Sequence, residues 1–331
     1  LYLGMSVASG DDETPATVRF EDWGDVTGGA TGSYKVGASE PLGPSSRRTG
    51  LVISEIMYHP APREDFRNLE FIELFNSTSL DRDIGGYRLS GSVDYTFPDN
   101  TIIPPGGLLL VANRPADVES EYGLSGVLGG WEGNLPNDSG TVRLRNPWNA
   151  VLLEIDYEDD VPWPLTADGA GHSLVLARPS YGEGDPEAWA ASRAIGGSPG
   201  EMEAVQSDVY DAVVINEFLA HSDPPLGDFV ELYNAGGTTV DLTGCMLSDT
   251  ILSNRCVLPP TTTIDPYDCL VLDTNALGFN LRSYGEAVYF KSPGDGRVID
   301  AVRFGGQENA VPSGRYPDGG SGFFELSSVT E

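Results

Sequence analysis

The chain has 331 residues, with 50 Asp and Glu against 19 Lys and Arg, so its formal charge is −31. A field this negative repels phosphate backbones and anionic lipid, which excludes nucleic acid and membrane surfaces as expected partners. Hydrophobic residues at 40% supply real cores and argue against wholesale disorder, while no apolar run reaches the roughly 18 residues of a membrane span.

In chain order, residues 1–27 read as two strands, 2–9 and 16–22, joined by an acidic turn at Asp11, Asp12 and Glu13. Two strands do not make a stable domain. This piece is expected to be the end of an upstream sandwich or donor strands for a neighbour's sheet, and the sequence a section of something longer. Residues 28–50 are rich in Gly, Ser and Pro and read as a flexible linker. Short β-branched and aromatic runs follow at 51–57, 71–75, 108–111, 213–219, 229–233 and 287–290. Two short helices are predicted, 116–122 and 185–192, the second with Asp185 as N-cap and Pro186 at its first position. Strands this short, with turns this frequent, predict an all-β chain of antiparallel sandwiches.

The chain repeats itself. Val52-Ile53-Ser54-Glu55-Ile56 recurs as Val214-Ile215-Asn216-Glu217-Phe218, and each is followed by a histidine, His59 and His221. Glu70 to Asn76 (EFIELFN) recurs as Asp228 to Asn234 (DFVELYN), and Asp168-Gly169 as Asp318-Gly319. The order is kept over more than a hundred residues, which predicts two homologous domains at 51–200 and 212–331. An acidic linker, 201–211, separates them. In EFIELFN, Ile72 and Leu74 are expected to face the core, with Glu73 on the outer face or edge of the sheet.

This pattern resembles the lamin tail domain, an immunoglobulin-like β-sandwich, in its bacterial, secreted form. The motifs carrying the resemblance are ISEIMYHP (53–60), EFIELFN (70–76), GGYRLSG (85–91) and YTFPDNTIIPPGGLLLVA (95–112) in copy one. Copy two carries VINEFLAHS, DFVELYN, LTGCMLSD, an AVRFG strand (301–305) and GRYPDG (314–319). Copy two departs at Cys245, where the family has an aromatic. The N-terminal piece is similar to the last strands of a lectin-like or laminin-G-like sandwich. The resemblance implies two immunoglobulin-like sandwiches in series, preceded by a partial sandwich or strand pair.

Several side-chain groups are candidates for chemistry. Glu55 and Glu73, their counterparts Glu217 and Glu231, and Asp11 with Asp12 are carboxylates suited to calcium, although no EF-hand spacing is present. The alternative for each is a turn cap or a solvated face. Any other cofactor is unexpected. Fifty acids guarantee accidental pairs, so a glycosidase pair cannot be argued from composition. Neither paired-histidine zinc spacing nor a G-x-S-x-G elbow occurs. His59 and His221 share a repeat position, which favours a structural role. Trp131 and Trp148 are candidates for stacking on a sugar, whereas Trp163 and Trp189 are expected to pin an insertion against the sandwich. Of the three cysteines, Cys245 and Cys256 correspond to Tyr87 and Tyr95 of copy one, which makes them the candidate disulfide.

The expected role is a non-enzymatic, structural or adhesive section of a large extracellular or cell-surface protein, bacterial in type. Its expected partners are neighbouring domains, like chains joined through strand edges, or surface and matrix components. The alternative is an accessory carbohydrate- or matrix-binding module of a secreted enzyme.

Overall fold

The computed structural model describes residues 30–32, 39–203, 208–224, 226–253, 255–294, 296–320 and 322–327. It is all-β, built as two sandwiches. In the first, one sheet runs Trp189–Ala191, Leu174–Leu176, Leu51–Met57, Phe71–Asn76, Leu108–Ala112, Leu128–Gly129. The facing sheet runs Glu132–Gly133, Val93–Thr96, Arg88–Gly91, Ser139–Arg145, Val151–Glu158. In the second, Cys269–Asp273, Phe229–Asn234, Val213–Leu219, Ser313–Arg315 and Phe323–Glu325 form one sheet. The other is Ala30–Gly32, Val298–Phe304, Glu286–Lys291, Met246–Ser248 and Cys256–Val257. From the opening strand onward the two sandwiches follow one strand order, as the sequence repeat requires.

The opening hairpin carries the same irregularity twice. Ile53 pairs with Leu74, but Glu55 pairs with Glu73, leaving Ser54 as an extra residue. Likewise Ile215 pairs with Leu232 and Glu217 with Glu231, leaving Asn216 extra. The bulge shifts the two-residue alternation by one. Ile53 and Ile56 therefore both reach the core, as do Ile215 and Phe218. The two glutamates of each pair are turned together onto the outer face.

Asn76 and Asn234 end the second strand of each hairpin in the same way. Each is fully buried, and each side-chain amide donates to three carbonyls: those of Leu80, Ile103 and Pro104 in one copy, and of Thr238, Ile264 and Asp265 in the other. One asparagine thus ties the strand end to two loops.

Several expectations need correction. Residues 185–192 are not one helix: a 3-10 turn, Pro186–Ala188, capped by the Asp185 side chain, gives way to the strand Trp189–Ala191. Alanine and tryptophan there pair with Leu174–Leu176, and sheet hydrogen bonding overrides their helix propensity. The 28–50 segment is not a free linker. Ala30–Gly32 pairs antiparallel with Val302, Arg303 and Phe304 of the second sandwich. Further along, Glu40 N–H donates to Ala177 O at 2.7 Å, Ser46 Oγ donates to Leu152 O at 3.2 Å, and Leu42 packs on the first core. The 201–211 segment also holds structure, since Asp208 and Asp211 form a capping box on the 3-10 turn Val209–Ala212. The strands expected within 1–27 lie outside the described residues. The helix Pro115–Tyr122 is as predicted. Its Val118 covers Met57, Phe71 and Leu110 on the outer face of the first sandwich.

Candidate functional site

Two constellations stand out once the sheets are in place. The first is the pair of outer-face glutamates in copy one. Glu55 and Glu73 are 1% and 2% exposed, because residues 197–203 fold back over them. Glu55 accepts from Ser173 Oγ at 2.5 Å, Ser198 N at 2.9 Å and Ser198 Oγ at 3.1 Å. Glu73 accepts from Ser54 Oγ at 2.8 Å and Gly200 N at 2.7 Å. Burial pushes the Glu55 carboxyl up to about 7 against these donors. Burial, reinforced by the charge of Glu55, pushes Glu73 up to about 8. Copy two repeats the pairing with different neighbours. Glu231 accepts from Asn216 Nδ2 at 2.9 Å, and burial raises its carboxyl as well.

The second constellation joins the two sandwiches. Leu165 and Ala170 of the first pack with Tyr289, Val298 and Ala301 of the second in one buried cluster. Burying side chains the size of leucine or valine contributes ~1.5–3 kcal/mol each, an upper estimate. Polar groups frame this seam. His172 is fully enclosed: its Nδ1 sits 2.7 Å from Ser192 O, and its Nε2 accepts the Val298 N–H at 3.0 Å. The imidazole must therefore be neutral with its proton on Nδ1, and burial pushes it down to about 4. Asp168 bridges His59, at 2.6 Å from Nδ1, to Arg303 of the second sandwich. Burial alone would raise the Asp168 carboxyl, but the hydrogen bonds from His59 and Arg303 outweigh it and hold the group below its ordinary range. Arg303 also donates to Asp159 O at 3.0 Å. Nearby, Asp211 links Arg193 of the first sandwich, at 2.8 Å, to Arg297 of the second.

The structure places the glutamates expected to suit calcium on the buried outer face of each opening hairpin. The described contacts of Glu55 and Glu73 are N–H and O–H donors. Glu217 and Glu231 are equally buried. Among the described residues, no three His, Cys, Asp or Glu side chains converge as a metal site. Asp11 and Asp12 lie outside the described residues.

The sugar-stacking pair separates. Trp131 is 6% exposed and belongs to the first core, so it cannot present a stacking face; Trp148 is 85% exposed on the turn between Ser139–Arg145 and Val151–Glu158. Trp163 and Trp189 pack together with ring centroids 6.2 Å apart, as expected of buried pins. The Cys245–Cys256 disulfide is not formed, and all three cysteines are free thiols. The register explains why. Leu247 pairs with Cys256, and Cys245 O accepts from Leu258 N, so the two cysteines are diagonal neighbours. Such neighbours lie roughly 7–8 Å apart, beyond disulfide reach.

Sequence reasoning missed the seam. Its signals were the repeated Asp168-Gly169 and the arginine of AVRFG, which were read as fold markers. The comparisons agree with the repeat. The Lamin Tail Domain pattern matches residues 44–159 and 206–306, together well over half of the chain. No curated protein matches the chain. Two matched stretches fall on two sandwiches of one strand order, and the chain belongs to the lamin tail domain family.

Proposed function

We propose that this chain is a structural, non-catalytic section of a large extracellular or cell-surface protein, in which two lamin tail domains act as one stiff block. The observation that carries this reading is the seam. An apolar cluster, a buried histidine bond and the Asp168–Arg303 pair together fix one sandwich against the other. Domains meant to move independently are joined by few and mostly polar contacts. A block of this kind spaces, displays or joins its neighbours. The pairing of Ala30–Gly32 with the edge strand Val298–Phe304 supports strand donation as the way modules or like chains connect. The charge of −31 suits a solvated surface in saline surroundings.

Calorimetry tests the block. One cooperative unfolding transition is expected, with equal calorimetric and van't Hoff enthalpies. Arg303→Ala combined with Val298→Asp should split it in two. Two independent transitions in the unaltered chain would overturn the reading. Protease that fails to cut the chain on intact source cells would remove its extracellular part.

A further inference from the structure

We propose that this chain forms a two-fold dimer in which Phe66 of each copy enters a pocket beside Phe66 on the other. Phe66 is 86% exposed and has a φ of 57°, a conformation that bulky side chains rarely adopt. The turn that displays it is clamped. Arg63 donates to both carboxylate oxygens of Asp65, at 2.9 and 2.7 Å, and to both of Glu121, at 2.8 and 3.0 Å. Arg67 adds a bond to Glu121 at 3.0 Å. The network anchors the turn to the helix Pro115–Tyr122, so an aromatic side chain is held out in solvent by a preorganised support. Preorganised aromatic anchors are what dominate association energetics.

The same turn borders a hole of about 270 Å³, in which Met57, Leu69, Tyr122 and Ile195 supply apolar walls and the paired Arg63 and Glu121 a charged one. A hole of this size has room for one aromatic side chain. Knob and hole share the 57–69 segment, so a single two-fold axis can satisfy both at once. The charges at the rim nearly balance: Arg63 and Arg67 stand against Glu64, Asp65 and Glu121. On a chain of −31, a near-neutral patch is where two copies can approach. The remaining repulsion is long-range, so salt strengthens the dimer.

Sedimentation velocity on the full chain, up to ~200 µM at about 0.15 and 0.5 M salt, tests this. The expected result is a dimer that tightens with salt. Phe66→Ala and Ile195→Glu each weaken it at least about tenfold, with melting temperatures close to the parent chain. Mixed together, the two variants recover a heterodimer, because one intact knob then meets one intact hole. A monomer throughout, a dimer indifferent to Phe66→Ala, or a mixture without heterodimer would overturn the proposal. Each of these results would leave the stiff-block reading standing, since that rests on the seam.

Discussion

Protonation of His172 should loosen the seam at mildly acidic pH, and the size of the effect follows from its two bonds. Neutral His172 gives its Nδ1 proton to Ser192 O and receives the Val298 N–H at Nε2. Adding a proton sets a donor against a donor in a site that is 1% exposed. Burial, with the nearby Arg297 charge adding to it, holds the folded group at about 4 against the bond to Ser192. An unfolded histidine titrates near ~6.5. The unfolded chain therefore binds more protons between those values, so this contribution is complete above about pH 6.5 and is lost as pH falls towards 4. At about pH 5 the loss is ~2 kcal/mol, and near pH 4 it approaches ~3 kcal/mol. Denaturant unfolding of the parent chain and of His172→Gln, at about pH 7.5 and 5, isolates this term from every other titration. Glutamine retains a donor and an acceptor but does not titrate. The parent chain should lose ~2 kcal/mol relative to the variant on acidification. Parallel pH profiles would refute the reasoning.

Two further outcomes are expected. Arg315→Met should destabilise the second sandwich by ~3–5 kcal/mol in urea, because it strands Asp300 inside the core. Arg315 and Asp300 are 3% and 0% exposed, 3.1 Å apart, and Arg315 also donates to Ile215 O and Gly320 O. Adding Asp300→Leu should recover most of the loss. The glutamate pair has the opposite sign to His172. Folded Glu55 and Glu73 titrate at about 7 and 8. Their contribution is complete below the ordinary carboxyl range and is lost as pH rises through those values. Melting temperatures of Glu55→Gln/Glu73→Gln should therefore fall less than those of the parent chain between about pH 6 and 9.

The repeat made the strand order legible, because the residues that fix a sandwich are local: alternating apolar positions, paired turns, and an asparagine at the end of each second strand. The same logic placed Ile72 and Leu74 in the core and Glu73 on the outer face. Alternation assigns a face, however, and says nothing of what covers it. The cover over Glu73 comes from residues 197–203, more than a hundred positions away, and so the acids looked solvated. Trp131 was misread for the same reason. The seam was illegible because its members are unremarkable within their own strands. Val298 and Ala301 read as ordinary strand residues, and only the docking of two sheets gives them partners. Cys245 and Cys256 were correctly aligned with Tyr87 and Tyr95, yet two residues of register separate a shared face from a bond.

The pairing of Ala30–Gly32 with Val302–Phe304 also bears on how the chain is made. A strand made early in this sequence finds its partner only after the first sandwich and most of the second have been synthesised. Contacts of such long sequence separation form late and slowly. Until then, the edge of Val298–Phe304 is open to any extended segment in reach, including the same segment of a neighbouring chain. The first sandwich can close as soon as its own strands are complete, whereas the ladder between Ala30–Gly32 and Val302–Phe304 must wait for a strand about 270 residues downstream. The order of assembly is thus written into the topology, and crowded synthesis of many copies is where exchange of that strand between chains would arise.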